Sequence, residues 1–103
     1  MSPVSQTTAD TAHYVLRLYV TGSTKRSTLA IQTMRDMCDT YLKNRYDLQI
    51  VDLYQNPEAA AREQIIAVPT LVRLLPGPLR RVIGDFSDRK RVLATLGVRG
   101  NEE

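Results

Sequence analysis

Few side chains in this 103-residue chain are equipped for covalent chemistry. Cys38 is its single cysteine and His13 its single histidine. One thiol excludes an intramolecular disulfide and every multi-cysteine zinc pattern. One imidazole, beside the polar stretch "MSPVSQTTADTA", supplies neither a histidine metal set nor a nucleophile–base relay anchored in a core. Asp52, Glu58 and Glu63 each have a plain structural place: a strand end, a first helical turn, a solvated helix face. "VTGSTKRST" (20–28) has glycine, lysine and hydroxyls but lacks P-loop spacing, although a strand-to-helix turn can hold an anion on its N–H groups. What stands out is charge. Arg73, Arg80, Arg81, Arg89, Lys90 and Arg91 crowd the C-terminal third, where Phe86 is the lone aromatic residue. Such a patch suits carboxylates or phosphates, but it has no stacking platform for bases, so no nucleic-acid partner is expected.

The elements that must position these groups are legible from period and punctuation. "HYVLRLYV" (13–20) reads as an interior strand, with Tyr14, Leu16, Leu18 and Val20 on one face and Val15, Arg17 and Tyr19 on the other. "STLAIQTMRDMCDTYL" (27–42) has helical spacing, with Ala30, Ile31, Met34, Met37, Cys38 and Tyr41 in one stripe and Thr24 or Ser27 as cap. Cys38 therefore reads as a small buried hydrophobe. "DLQIVDLY" (47–54) is a second strand. A short helix follows over 56–63, with Asn56 as N-cap and Pro57 at its first position. "IIAVPTLVRLLP" (65–76) and "LRRVIGD" (79–85) predict two further strands around a Pro-Gly-Pro turn, and Ser87 and Gly97 bracket a last helix. The order βαβαββα describes a single α/β domain over 13–97, between tails at 1–12 and 98–103. The hydrophobic fraction of 43% is ordinary for a soluble domain. The N-terminal stretch has no apolar core of a secretory signal, and no run nears the roughly 18 residues of a membrane span. A lone cysteine fits a reducing cytoplasm.

This topology, with the Val68-Pro69-Thr70 strand entrance, resembles the thioredoxin fold. In thioredoxins a dithiol sits at the N-terminus of the first helix, where free N–H groups lower the thiol pKa. The equivalent stretch here is "STKR" (23–26), without sulfur. A hydroxyl cannot replace a thiolate in disulfide exchange. Cys38 lies about three helical turns downstream, and a redox enzyme is not expected. If the resemblance extends to this loop, Val68–Pro69 is a cis bond.

More specific strings carry a closer resemblance. "LYV-x-G", "V-D-L-x-x-N-P", "P-T-L-V-R-x-L-P-x-P-x-R-R-x-I-G-D" and the following "S-D-R" are similar to the KaiB family of small clock proteins, over about Tyr14 to Leu96. The resemblance implies a non-catalytic regulator without a cofactor. It would dock on the N-terminal ATPase lobe of a KaiC-like autokinase and modulate its phosphorylation cycle. It also implies competition with a sensor histidine kinase and a second, tetrameric βαββααβ packing of the same chain. The segment at 48–64, with Leu48, Ile50, Asn56, Pro57 and Gln64, would then offer contact area. Arg73, Arg80 and Arg81 would supply steering and charge-assisted hydrogen bonds. Pro69, Pro76, Pro78, Thr95 and Gly97 bear on the choice of packing: Thr95 and Gly97 depart from the glycine and aspartate of cyanobacterial members, and both favour the thioredoxin-like form. Dimer or tetramer remain open, as does a thioredoxin-like adaptor acting in stress responses outside any clock.

Overall fold

A computed structural model describes residues 12–84 and 86–97. Strand β1 (Tyr14–Val20) leads into helix α1 (Lys25–Tyr41), strand β2 (Tyr46–Asp52) and the short helix α2 (Pro57–Arg62). The antiparallel pair β3 (Thr70–Leu75) and β4 (Arg80–Ile83) follows, and then helix α3 (Arg89–Leu96). This is the expected βαβαββα order. The sheet runs β2-β1-β3-β4, with β1 parallel to β2 and antiparallel to β3. A parallel pair needs a crossover, and α1 provides it.

Alternation along β1 divides the interior in two. Leu16, Leu18 and Val20 pack with Ala30, Met34, Met37 and Cys38 of α1, Leu71 and Val82 of the sheet, and Val92 and Leu96 of α3. On the opposite face Tyr19, Val72 and Ala59 form a smaller cluster, rimmed by Val51, Leu53, Ile65, Val68 and Leu74. Each buried aliphatic side chain contributes about 1.5–3 kcal/mol, so the first face carries most of the hydrophobic stabilisation. The six residues of α2 cover only part of the second face.

Local signals set the boundaries. Thr24 caps α1 by accepting from the Ser27 N–H, and the Ser27 hydroxyl accepts from Thr21 N–H at 3.1 Å. The cap of α3 is Asp88, whose carboxylate accepts from Arg91 N–H; Ser87, the expected cap, lies one residue too early. Gly97 ends α3 in the left-handed conformation, φ 77°. Asn56 occupies the N-cap position of α2, but its side chain makes no capping bond and reaches back to the Asp52 carbonyl. The strand expected from residue 65 begins at Thr70. Gln64 turns the chain at φ 57°, Ile65 N–H closes onto Ala60 O, and Pro69 has no N–H for a ladder. Val68–Pro69 is cis, as are the bonds preceding Pro76 and Pro78. Thr95 lies in α3 and back-bonds through its hydroxyl to the Arg91 carbonyl.

The tail expected over 1–12 is one residue too long, because Ala12 packs against the core and accepts from Arg45. The rest of that tail and the one over 98–103 lie outside the described residues, as does Asp85. Among the described residues no helix is long and apolar enough to cross a membrane.

Candidate partner-binding surface

The place where a thioredoxin-like fold would do chemistry lies between the α1 N-terminus and Pro69. A groove of about 310 Å³ opens there, lined by Arg26, Leu29, Ala30, Pro69, Gly84 and Phe86. Leu29 is half exposed on its rim. None of these side chains is a nucleophile. Cys38 is fourteen residues along from Thr24, about 21 Å at 1.5 Å per residue. It is buried among apolar neighbours, and burial, with a smaller effect from the Asp39 charge, pushes its thiol pKa up to about 12. A thiol held protonated is a packing group.

The three arginines have different fates. Arg73 is the correction: it points inward on the α1–α3 face and is only 7% exposed. Its Nη1 donates to Leu96 O at 2.6 Å and its Nη2 to Pro78 O at 2.8 Å, while Nε is buried without a partner. A charge in an apolar strand must be solvated or paired. Here it is paired, with two backbone carbonyls of its own chain, so it is not a free docking charge. Arg80, next to it across the hairpin, is exposed on edge strand β4. Arg81 is also exposed, but its guanidinium donates to Glu63 O and Gln64 O, both at 3.1 Å, and so ties β4 to the turn that leaves α2.

The contact segment expected over 48–64 divides between the two sides of the sheet. Leu48 and Ile50 are half buried against the main core on the α1 side. Asn56, Pro57 and Gln64 are exposed at the two ends of α2, on the opposite side. The fold therefore unites Gln64 with Arg81, and separates Leu48 and Ile50 from both. Asp52 does more than end a strand: its Oδ1 accepts from Gly22 N–H and Tyr54 N–H, both at 2.9 Å, and so pins the β1–α1 turn to the β2–α2 turn.

Two further exposed side chains flank α2, Tyr54 within the expected 48–64 segment and Ile66 just beyond it. Ile66 is 87% and Tyr54 72% exposed, both beside α2. Exposed aromatic and aliphatic side chains grouped near one element mark contact area. On the same side an open groove of about 310 Å³ runs between α2 and the sheet, lined by Arg17, Tyr19, Gln49, Val51, Asn56, Ala59, Arg62 and Glu63. Arg17 was recognisable by the same sign as Arg73, a charge within an apolar strand. Only the position of α2 above the sheet shows that Arg62 joins it.

The fold is shared with the N-terminal domain of Synechococcus elongatus SasA (TM-score 0.68, 19% identity, covering 100% of this chain and 97% of that one). It is shared equally with Fasciola hepatica thioredoxin (TM-score 0.67, 17% identity, 89% and 86%). The curated relatives are much nearer in sequence. The circadian clock oscillator protein KaiB of Synechococcus sp. (strain CC9311) is 47% identical over 83 residues, 81% of this chain and 70% of its own. That of Trichodesmium erythraeum (strain IMS101) is 41% identical over 96 residues, 93% and 86%. Residues 17–98 match the KaiB domain as a family, and with a thioredoxin-like sheet whose helix N-terminus carries no thiol, this chain belongs to the KaiB family.

Proposed function

We propose that this protein is a non-catalytic clock or timer regulator. It binds the N-terminal ATPase ring of a KaiC-like autokinase and modulates the phosphorylation cycle of that enzyme. The observation that carries the reading is the family match over residues 17–98, together with relatives that are named clock oscillator proteins. The sulfur-free α1 N-terminus and the buried Cys38 support a role in binding over one in thiol chemistry. In this proposal the docking surface is the α2 side: Asn56, Pro57 and Gln64 at the ends of the helix, with Arg81 beside Gln64. Exposed Arg80 on the free edge of β4 adds charge-assisted contacts to partner carboxylates. Leu48 and Ile50 contribute only through the edge of β2. A sensor histidine kinase with a domain of the same fold would compete for the ring, and free dimers or tetramers are part of the proposal.

The test is size-exclusion chromatography with light scattering, run with and without a KaiC-type ATPase from the same genome and ATP. Co-elution with the ring is expected, and Arg80→Ala with Arg81→Ala should weaken it about tenfold or more, as loss of charged interface contacts does. Absence of a complex in either nucleotide state, at low salt and after hours of incubation, would sink this reading in favour of an adaptor with another partner.

A further inference from the structure

Arg17 is an anomaly on the α2 side of the sheet. It sits in the middle of β1, an interior strand, paired with Gln49 on one side and Val72 on the other. Its Nε donates to Gln49 Oε1 at 3.0 Å and its Nη1 lies 3.4 Å from the Tyr19 hydroxyl. Both partners are neutral. The guanidinium is therefore oriented and partly desolvated without a counter-charge. Arg62 lines the same groove from α2, and no carboxylate is in ion-pair contact with it or with Arg17 among the described residues. Glu63 also lines the groove, but it forms no ion pair with either arginine. Two arginines and a single carboxylate thus line one open cleft, together with the apolar Val51 and Ala59.

We propose that this groove receives the carboxylate of an aspartate or glutamate carried on an extended acidic segment of a partner protein, clamped between Arg17 and Arg62. The planar guanidinium fork matches a carboxylate, and Gln49 and Tyr19 hold the Arg17 fork in advance, which lowers the entropy lost on binding. Val51 and Ala59 accept the methylene stem of the incoming residue. The lining offers no glycine-rich loop to wrap a phosphate, and the first turn of α2 bears Pro57 and Glu58. This inference deepens the docking reading and rests on it only for the partner being a protein.

The test uses the full-length ¹⁵N-labelled chain and a blocked peptide of alternating valine and glutamate, with its glutamine counterpart and inorganic phosphate as separate arms. The glutamate peptide is expected to shift the Arg17 Nε–H signal and the Gln49 and Asn56 side-chain amides saturably. Arg17→Gln or Arg62→Gln should weaken it about tenfold, whereas Lys43→Gln, exposed beyond the end of α1, should not. Because Arg62 is exposed on α2, its variant tests the clamp even if Arg17→Gln perturbs folding. Equal shifts with the glutamine peptide, equal binding of phosphate, shifts that survive both substitutions, or no saturable shift would each overturn the proposal. Ring binding is read separately. If the peptide binds and the ring does not, the acidic clamp stands and the identity of the partner falls. If the ring binds Arg17→Gln and Arg62→Gln undiminished and the peptide does not bind, the clamp falls alone.

Discussion

Burial keeps the Cys38 thiol protonated far beyond the range in which an exposed cysteine ionises, moving its pKa from 9.0 to about 12. Tyr46 is raised to about 12 for a different reason: its hydroxyl donates to the Asp39 carboxylate at 2.7 Å, which favours the protonated phenol. An acid whose pKa is higher folded than unfolded contributes stability that is complete below the unfolded value and lost as pH rises through the folded one. For Cys38 the window runs from pH 9 to 12. The urea midpoint of the wild type should therefore fall more steeply between pH 9 and 10.5 than that of Cys38→Ala. The variant starts lower, because a small cavity replaces the sulfur. Parallel slopes would show that the Cys38 thiol is not a buried acid with a raised pKa. Burial was legible in the sequence, since Cys38 shares a helical stripe with Met34 and Tyr41, whereas the role of Asp39 was not.

Helix α3 shows how an element of eight residues is held. Only Val92 and Leu96 of it are buried, its first turn is capped by Asp88, and Gly97 closes it. Two arginines tie it to the sheet: Arg91 donates from Nη2 to Ile83 O of β4 at 3.2 Å, and the cationic Nη1 of Arg73 meets the Leu96 carbonyl at the negative end of the helix. Arg73→Met keeps much of the apolar stem but removes both donors, leaving Leu96 O and Pro78 O without them. The expected cost is about 2–3 kcal/mol in denaturant unfolding, the range for hydrogen bonds to a charged group. Amide exchange in α3 should accelerate more than in α1. A loss of less than about 0.5 kcal/mol, the level of an ordinary surface change, would return Arg73 to the surface charges. The sequence marked Arg73 as unusual but could not say which way it faced. Its two acceptors are 5 and 23 residues away in the chain, so only folding brings them together. Ser87 and Asp88 illustrate the smaller limit, that two adjacent capping residues offer the same chemistry one residue apart.

At the scale of the molecule, the sheet of a redox fold is retained around a site with no redox-active group. The chain should not accelerate reduction of a disulfide substrate by dithiothreitol above the rate of the reagent alone, at any pH between 6 and 8.5. Disulfide exchange needs an accessible thiolate, and the one thiol is buried, protonated and about 21 Å along α1 from the Thr24 cap. Acceleration abolished by Cys38→Ala would contradict this account. What the molecule offers instead is one side of the sheet left incompletely covered, because α2 is shorter than the strands require. Arg17 and Arg62 line the groove on that side, and Tyr54 and Ile66 are exposed in the turns that flank α2.

The sequence by itself determined the order of elements, the stripe of α1, the Pro57 start of α2 and the Gly97 end of α3. Each depends on residues within one turn or one strand, where period and backbone preference act directly. It also determined the absence of a dithiol at the α1 N-terminus, since composition alone settles that. Tertiary structure decided which charges face in and which face out. Arg73 and Arg17 look alike as cations in apolar strands, yet alternation and sheet order put one beneath α3 with carbonyl partners and the other under the open edge of α2 with neutral ones. It also decided that Leu48 and Ile50 belong to a different side from Asn56, Pro57 and Gln64. Sides of a sheet are assigned only when strands pair and helices pack, and those contacts join residues far apart in the chain.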